Sequence, residues 1–308
     1  MKFHYLKKVK YWIQAARIET LPLSISGILL GSFYAFYSYS FDNTIFTLSI
    51  LTAISFQILS NFANDYGDGI LGTDTERIGP KRVIASGKLS IKELRRGIFL
   101  NIFISITLSY SLIKYSFESD YLLIVIFLFL SISSILAAIK YTMGRNPYGY
   151  YGFGDIFVFI FFGLLSVFGS YFLQTKLFNY EVFILGSIVG LLCVGVLNLN
   201  NIRDIENDSK MNKKTIPMRI GFRNAKFYHY FLIIASIFLI FIFATKFKIS
   251  NNLIFIIIGI IPLLFHLFKV NQAKSPIEFK PLLKQLAIST FIFSIFMSIF
   301  LIYESLFF

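Results

Sequence analysis

The stretch Asn61-Phe62-Ala63-Asn64-Asp65-Tyr66-Gly67-Asp68 stands at the end of a long apolar run. Carboxylates and carboxamides beside an apolar span are costly unless they line a cavity or have partners. The stretch therefore predicts a membrane helix with a polar site at one end. If the helix continues through these residues, positions i, i+3, i+4 and i+7 share one face. They hold Asn61, Asn64, Asp65 and Asp68.

A second stretch of the same kind, Asn200-Asn201-Ile202-Arg203-Asp204-Ile205-Glu206-Asn207-Asp208, ends another apolar run. On a continuing helix, Asn200, Asn201, Asp204 and Asp208 would again share a face. Two carboxylate-bearing faces at a membrane boundary form the ligand set that holds hard divalent cations against a diphosphate. The four aspartates are therefore the predicted catalytic residues. The predicted metal ligands are Asp65, Asp68, Asp204, Asp208 and Asn64.

The composition is that of an integral membrane protein. The chain has 308 residues, of which 56% are hydrophobic and only 15% are charged, and its mean hydropathy is +0.71. A soluble domain of this size would carry more charge. Apolar runs of roughly 20 residues, long enough to span a bilayer, predict nine helices. The runs lie at about 20–39, 44–65, 97–116, 121–141, 153–174, 181–201, 228–246, 251–269 and 285–305.

The basic residues fall almost entirely on one side of these nine spans. Of the 29 lysines and arginines, all but Lys114, Lys176, Lys246 and Lys248 lie there. By the positive-inside rule, the N-terminus and both acidic stretches are predicted to be cytoplasmic and the C-terminus external. The net charge of +13 thus reflects topology and site chemistry, and nothing in its distribution indicates a nucleic-acid-binding face.

Two long connections follow the acidic stretches, at about 66–96 and 202–227, and both become basic. The order of helix, acidic stretch and basic loop recurs about 137 residues along the chain. This pattern is typical of a weak internal duplication whose two copies face one cavity. We therefore predict a single all-α membrane domain over residues 1–308, with the two loops capping its site.

Several other residues are candidates for substrate binding. Lys81 and Arg82 follow Gly79-Pro80, which stiffens the backbone, and a rigid arginine can bind phosphate bidentately. Arg17, Arg203 and Lys214 are either phosphate-binding residues or charges that set orientation.

Segment 141–155 interleaves aromatic residues with glycine. Such a segment suits an aromatic belt at the membrane interface, and equally a site whose ring faces stabilise an allylic cation. Asp155, where a span begins, is either a helix cap or a substrate contact. The three histidines are dispersed, and the single Cys193 excludes a disulfide framework. The predicted substrate-binding residues are Asn61, Asn64, Lys81, Arg82, Tyr141, Asp155, Asn200, Asn201, Arg203, Lys214 and Arg17.

With these residues the chain resembles the membrane-embedded aromatic prenyltransferases of the UbiA superfamily. The first motif of that superfamily is Asn-Asp-x-x-Asp, here Asn64 to Asp68, and the second is Asp-x-x-x-Asp, here Asp204 to Asp208. Within the superfamily the chain looks most like the menaquinone-pathway members. The segments that carry this closer likeness are Ala16-Arg17-x-x-Thr20-Leu21-Pro22, Gly79-Pro80-Lys81-Arg82, Gly152-x-Gly154-Asp155 and Asn200-Asn201-x-Arg203-Asp204.

The resemblance implies a nine-helix bundle around one cytoplasm-facing cavity, in a bacterial cell membrane. It further implies Mg²⁺-dependent transfer of a polyprenyl group from its diphosphate to 1,4-dihydroxy-2-naphthoate. Decarboxylation would accompany the transfer and give demethylmenaquinol. No obligate protein partner is evident.

Two alternatives remain open. The acceptor could be another aromatic, such as 4-hydroxybenzoate or haem, because the site motifs are shared. Acidic clusters in a membrane could also belong to a divalent-cation transporter, which would place carboxylates deep along a conduction path. Here they lie at one side and are followed by basic loops, so transport is the remote alternative.

Overall fold

A computed structural model of the protein describes residues 2–72, 82–247 and 252–306, with side chains from Lys8 onward. All regular structure in these residues is helical, as the sequence predicts. A π-helical segment, Phe159–Leu165, joins the α-helix Gly154–Val158 to the α-helix Ser166–Thr175. The α-helices are α1 (Lys2–Ala16), α2 (Leu21–Tyr37), α3 (Asn43–Leu71), α4 (Ile91–Phe117), α5 (Tyr121–Lys140), α6 (Gly154–Val158), α7 (Ser166–Thr175), α8 (Tyr180–Arg203), α9 (Ile205–Lys210), α10 (Ile216–Ala244), α11 (Leu253–Gln272) and α12 (Phe279–Ser305).

Within the described residues, nine segments are long and apolar enough to cross a membrane, which confirms the predicted number. Every predicted run falls on one of these segments. Their outward faces carry large apolar side chains, and Phe103 on α4 and Phe129 on α5 are each 69% exposed. Such exposure is typical of side chains that contact acyl chains in a bilayer.

The structure corrects the predicted bounds of the loop at 66–96. Helix α3 continues through both aspartates to Leu71 and ends at Gly72, which has a left-handed conformation (φ 70°). Helix α4 begins at Ile91, after a capping box formed by Ser90 and Glu93. Only 72–90 remain as a connection, and residues 73–81 of it lie outside the described part of the chain.

The predicted loop at 202–227 is also mostly helical, since it contains α9 and the start of α10. Helix α8 ends at Asp204, whose backbone (φ −96°, ψ 10°) departs from helical values. Hydrogen bonds nevertheless run from the Asp204 N–H to the Asn200 carbonyl oxygen (3.1 Å) and from the Asp208 N–H to the Asp204 carbonyl oxygen (2.8 Å). The helical path therefore continues almost unbroken from α8 into α9.

Two main hydrophobic cores hold the bundle together. The larger lies among α2, α7, α8, α10, α11 and α12 and includes Leu192, Phe243 and Phe293. The smaller lies among α1, α3, α4 and α5 and includes Leu59 and Leu94. Helices from both cores line the cavity described below.

A close backbone contact joins the π-helical segment to α8. A Cβ atom on Gly163 would lie 2.5 Å from both the Gly186 carbonyl oxygen and the Gly190 Cα. Small residues let membrane helices approach in this way. The wider π-helical turn and the glycines together bring this segment against α8.

We expect Gly163→Ala to destabilise the protein by about 1–3 kcal/mol, because the added methyl group overpacks the contact with α8. The measurement is thermal unfolding in detergent, monitored by a thiol-reactive fluorophore that reports the exposure of buried Cys193.

The matched control is Gly169→Ala, on the same membrane span. A Cβ atom there has as its nearest neighbour Leu165 Cδ1 at 3.9 Å, so this variant should melt like the wild type. Equal melting temperatures for the two variants would contradict the packing argument.

Candidate active site

The first acidic stretch lies inside α3, and its carboxylates are covered by basic side chains. Asp65 is 2% exposed and Asp68 is 3% exposed. Arg82 Nη2 lies 2.7 Å from Asp68 Oδ2, and Arg82 Nη1 lies 3.5 Å from Asp65 Oδ1. Asp65 also forms an ion pair with Arg17. Because buried carboxylates are stable only when paired, these two arginines make the cluster possible.

Backbone contacts hold Arg82 in this position. Its Nη1 donates to the Asn64 carbonyl oxygen (2.6 Å), and its side chain is only 8% exposed. The following residue, Val83, is fully buried in the smaller core. Lys81, the other basic residue predicted here, lies outside the described residues.

Arg17 ends α1 in a left-handed conformation (φ 48°, ψ 62°), which is uncommon for a residue with a side chain. The Thr20 hydroxyl donates to the Arg17 carbonyl oxygen (2.9 Å). From α3, Asn61 Nδ2 donates to the Ala16 carbonyl oxygen (2.8 Å). These hydrogen bonds stabilise the break between α1 and α2, where Arg17 pairs with Asp65.

The second acidic stretch is neutralised in the same way. Arg203 binds the Asp204 carboxylate with two hydrogen bonds, from Nε (2.7 Å) and from Nη2 (2.6 Å). Arg203 Nη2 also donates to Asn200 Oδ1 (2.8 Å). Asp208 lies 3.9 Å from Lys213 Nζ and accepts a hydrogen bond from the Thr215 hydroxyl (3.3 Å).

The connection from α5 to α6 joins the two acidic stretches. The Tyr150 hydroxyl donates to Asp68 Oδ1 (2.7 Å), and the Tyr150 carbonyl oxygen accepts from the Lys214 N–H (2.8 Å). Lys213 Nζ lies 5.1 Å from the centre of the Tyr150 ring. Tyr150 therefore contacts one carboxylate cluster directly and the loop of the other, which brings both clusters to the same end of the bundle.

The glycine of the first stretch permits this arrangement. A Cβ atom on Gly67 would lie 2.5 Å from the Thr142 carbonyl oxygen, so a larger residue would push the connection away from α3. The Thr142 hydroxyl in turn lies 3.1 Å from Asn64 Oδ1.

Tyr141 lies between the two carboxylate clusters. Burial raises the pKa of its phenol, and the charges of Asp155, Asp68 and Asp208 raise this pKa further. Its phenol is therefore protonated at neutral pH.

A cavity of about 420 Å³ opens beneath these groups. Along α3 it extends from Asp68 to Ser49, about 28 Å of helix. Its opposite end is mostly apolar: Leu112, Ile113 and Leu173 line it together with the hydroxyl-bearing Ser49 and Thr52. The polar end of the cavity is lined by Arg17, Asn61, Asn64, Asp68, Arg82, Asn200 and Lys213.

Aromatic rings form one wall of the cavity near its polar end. Tyr148 stacks on Phe157 with ring centres 4.0 Å apart, and Phe157 stacks on Phe161 at 6.0 Å. Tyr141 meets Tyr148 edge-on at 5.4 Å. These rings offer π faces to a cation in the cavity.

The predicted site residues differ in their access to the cavity. Those that line it are Arg17, Asn61, Asn64, Asp68, Arg82, Tyr141 and Asn200. Buried beside it, outside its lining, are Asp65, Asp155, Asn201, Arg203, Asp204 and Asp208.

Two predicted residues make contacts of other kinds. Asp155 accepts a hydrogen bond from the Tyr228 hydroxyl (3.0 Å), which ties the start of α6 to α10. The Lys214 side chain is exposed, whereas its neighbour Lys213 reaches both the cavity and Asp208.

Four residues of the site were not predicted from the sequence: Tyr150, Lys213, Thr20 and Gln57. Tyr150 sits in the glycine-rich aromatic segment, where an interfacial belt was an equal interpretation. Gln57 precedes Asn61 by one helical turn, so the spacing that revealed the polar face of α3 could have been extended to it.

The donor set fits a magnesium ion. Among the described residues, no three Asp, Glu, His or Cys side chains converge on one point. The described residues therefore offer any one cation at most two carboxylates. Mg²⁺ is usually bound by one or two carboxylates together with substrate phosphates and water. The oxygen ligands present suit a cation that binds together with a diphosphate.

Comparison with known proteins identifies the chain. Residues 24–289 match the UbiA prenyltransferase family. A 1,4-dihydroxy-2-naphthoate octaprenyltransferase from Haemophilus influenzae is 40% identical over 95% of this chain and 96% of its own length. The Escherichia coli protein of the same name is 38% identical over 75% of each chain.

A solved structure supports the same assignment of fold. The UbiA homologue from Archaeoglobus fulgidus bound to GPP and Mg²⁺ superposes with a TM-score of 0.68, at 14% identity, over 95% of this chain and 99% of that one. The protein is thus a membrane-embedded prenyltransferase. It belongs to the UbiA prenyltransferase family.

We expect Tyr150→Phe to lower kcat/KM for prenyl transfer by about 10-fold, because a hydrogen bond to a charged group contributes about 1.5–3 kcal/mol. The measurement is steady-state kinetics of the purified enzyme in detergent.

Tyr151→Phe is the matched control. The Tyr151 hydroxyl lies at the surface, 3.2 Å from Asn146 Oδ1, so its removal should leave kcat/KM unchanged. The same loss of activity in both variants would show that the contact between Tyr150 and Asp68 has no special role.

Proposed function

We propose that this protein transfers a polyprenyl group from a polyprenyl diphosphate to 1,4-dihydroxy-2-naphthoate, with loss of CO₂ and formation of demethylmenaquinol. The observation that carries the proposal is two buried, arginine-paired carboxylate clusters at the polar end of a long apolar cavity. The name of the H. influenzae relative supports this choice of acceptor.

The diphosphate of the donor binds at the polar end of the cavity. Among the described residues, four carboxylates there are paired with four basic side chains: Arg17, Arg82, Arg203 and Lys213. Because the carboxylates would repel the negative charge of a diphosphate, divalent cations that bind both groups would accompany it. Arginine suits the binding of the diphosphate, because a guanidinium that pairs with a carboxylate can pair instead with a phosphate of similar geometry.

Magnesium, when bound, neutralises the diphosphate and makes it a better leaving group. The residues that would hold it are Asp65 and Asp68 on α3, with Asn64, and Asp204 and Asp208 on α8 and α9. Tyr150 contacts Asp68 of the first group and Lys213 beside Asp208 of the second, and each group would hold one cation.

The chemistry takes place where the polar and apolar parts of the cavity meet. The C–O bond of the donor breaks, and its electron pair leaves with the diphosphate. The aromatic wall of Tyr148, Phe157 and Phe161 stabilises the resulting allylic cation with ring faces. The electron-rich naphthoate ring forms the new C–C bond, and the carboxylate leaves as CO₂ and returns its electron pair to the ring. The apolar walls exclude water, which would otherwise capture the cation.

The polyprenyl tail occupies the apolar length of the cavity, and its remainder passes sideways into lipid. This requirement accounts for a membrane-embedded enzyme. The described part of the connection after α3, residues 82–90, and the connection at 204–215 border the polar end and cap it, within a single domain that spans the chain.

We expect membranes that contain the wild-type protein to prenylate 1,4-dihydroxy-2-naphthoate with release of CO₂, given Mg²⁺ and a polyprenyl diphosphate. EDTA should abolish the reaction, because the diphosphate would lose its neutralising cations. Offering 4-hydroxybenzoate in parallel tests the acceptor, and product from hydroxybenzoate alone would overturn the proposed pathway.

Within the same assay, Asp204→Asn should lower turnover by about 100-fold or more. Glu206→Gln, two residues further on at an exposed position, removes the same charge and should turn over normally. Normal turnover by Asp204→Asn would contradict the proposal that these carboxylates hold the cations.

The end of the bundle that carries the carboxylates faces the cytoplasm, as the basic residues favour. We expect Ala85→Cys, exposed at that end, to resist a membrane-impermeant maleimide in intact cells, and Ser119→Cys, exposed at the other end, to react. The single natural cysteine is buried and gives no background. Labelling of Ala85→Cys alone would show that the bundle has the opposite orientation in the membrane.

A further inference from the structure

A glutamine two helical turns before Asp65 lines the cavity, and its side-chain oxygen is buried. Gln57 is 8% exposed, and its Oε1 has no hydrogen-bond partner among the residues that the structure describes. Leaving a buried polar atom unpaired costs about 1–3 kcal/mol. Such an atom beside a substrate cavity therefore points to a ligand group that pairs with it.

The surrounding hydrogen bonds determine which way the Gln57 amide points. The Thr20 hydroxyl uses its only proton on the Arg17 carbonyl oxygen (2.9 Å), so Thr20 Oγ1 can only accept. It accepts from Gln57 Nε2 (2.9 Å) and from Asn61 Nδ2 (3.0 Å). Gln57 Nε2 also lies 3.4 Å from Asn61 Oδ1.

Reversing the amide would set the glutamine oxygen against two acceptors, Thr20 Oγ1 and Asn61 Oδ1. The NH₂ group is therefore used within the protein, and Oε1 is left without a partner among the described residues. This arrangement requires a hydrogen-bond donor from the ligand.

The chemistry of the substrates leaves few candidates for that donor. A polyprenyl chain has no polar hydrogen, and an ionised diphosphate or carboxylate only accepts hydrogen bonds. Gln57 also lies about 12 Å along α3 from Asp65, which is remote from the charged end of the site. The ring hydroxyl of the aromatic acceptor is the remaining donor.

We infer that Gln57, held by Thr20 and Asn61, forms the subsite for a ring hydroxyl of the acceptor. This inference rests on the proposed function. The subsite favours phenolic acceptors, since an analogue without that hydroxyl would leave Gln57 Oε1 buried and unpaired. For the proposed acceptor the hydroxyl is the one at ring position 4, because the hydroxyl at position 1 is adjacent to the carboxylate and bonds to it.

The test compares how two naphthoates bind to purified protein in detergent. Inorganic diphosphate and Mg²⁺ replace the donor, so no reaction occurs. Calorimetry gives the dissociation constants of 1,4-dihydroxy-2-naphthoate and of 1-hydroxy-2-naphthoate, which lacks the hydroxyl at position 4. We expect the wild type to bind the dihydroxy compound about 10-fold more tightly, and Gln57→Met to bind the two almost equally.

Thr52→Val is the matched control on the same helix. Thr52 also lines the cavity and has a buried hydroxyl with no partner among the described residues, but it lies five residues further from the charged end. This variant should keep the 10-fold preference. Because each variant is compared with itself on two ligands, a general loss of stability would not change the ratio.

Each outcome decides the inference. The inference would be overturned if Gln57→Met kept the preference for the dihydroxy compound, or if Thr52→Val lost it as well. It would also be overturned if the wild type bound both naphthoates equally, because water would then satisfy Gln57. If the wild type binds neither naphthoate, the proposed acceptor is wrong. The same comparison of 4-hydroxybenzoate with benzoate then tests Gln57 independently, and equal binding of these two would also overturn the subsite.

Discussion

The burial of four carboxylates at one end of a membrane bundle is the constraint on which the rest of the site depends. Unpaired, each would cost several kcal/mol. Every one of them has a partner: Arg82 and Arg17 on the first cluster, Arg203 on Asp204, and Lys213 with Thr215 on Asp208. The break between α1 and α2 positions Arg17 against Asp65, and the burial of Val83 holds the preceding Arg82 in place.

The connection between α5 and α6 extends this pairing into a single site. The Tyr150 hydroxyl donates to Asp68, and the Tyr150 carbonyl oxygen accepts a hydrogen bond from the Lys214 N–H. One short segment therefore contacts both the first cluster and the loop that follows the second. Gly67 admits that segment because a side chain there would collide with the Thr142 carbonyl oxygen. Under the proposed function, the carboxylates at this end would receive a diphosphate together with divalent cations, which would couple the binding of donor and metal.

Much of the fold could be predicted from the sequence because the physical requirement is simple. A bilayer demands about 20 apolar residues per helix, and the nine runs met that requirement. Their ends were less predictable. Helix α3 continues to Leu71, and α9 and α10 begin inside a predicted loop, because polar residues at a helix end can bond to each other and to the next segment instead of to water.

By itself, the sequence determined the number of spans and the polar faces of the two acidic stretches, since helical periodicity places i, i+3, i+4 and i+7 together in any context. Only the tertiary structure decided which charge meets which carboxylate. It selected Lys213 rather than Lys214 to face Asp208, it brought Tyr150 to Asp68, and it left the buried Gln57 oxygen without a partner among the described residues. These contacts join residues as much as 82 positions apart. They depend on how helices pack, and local periodicity carries no information about that packing.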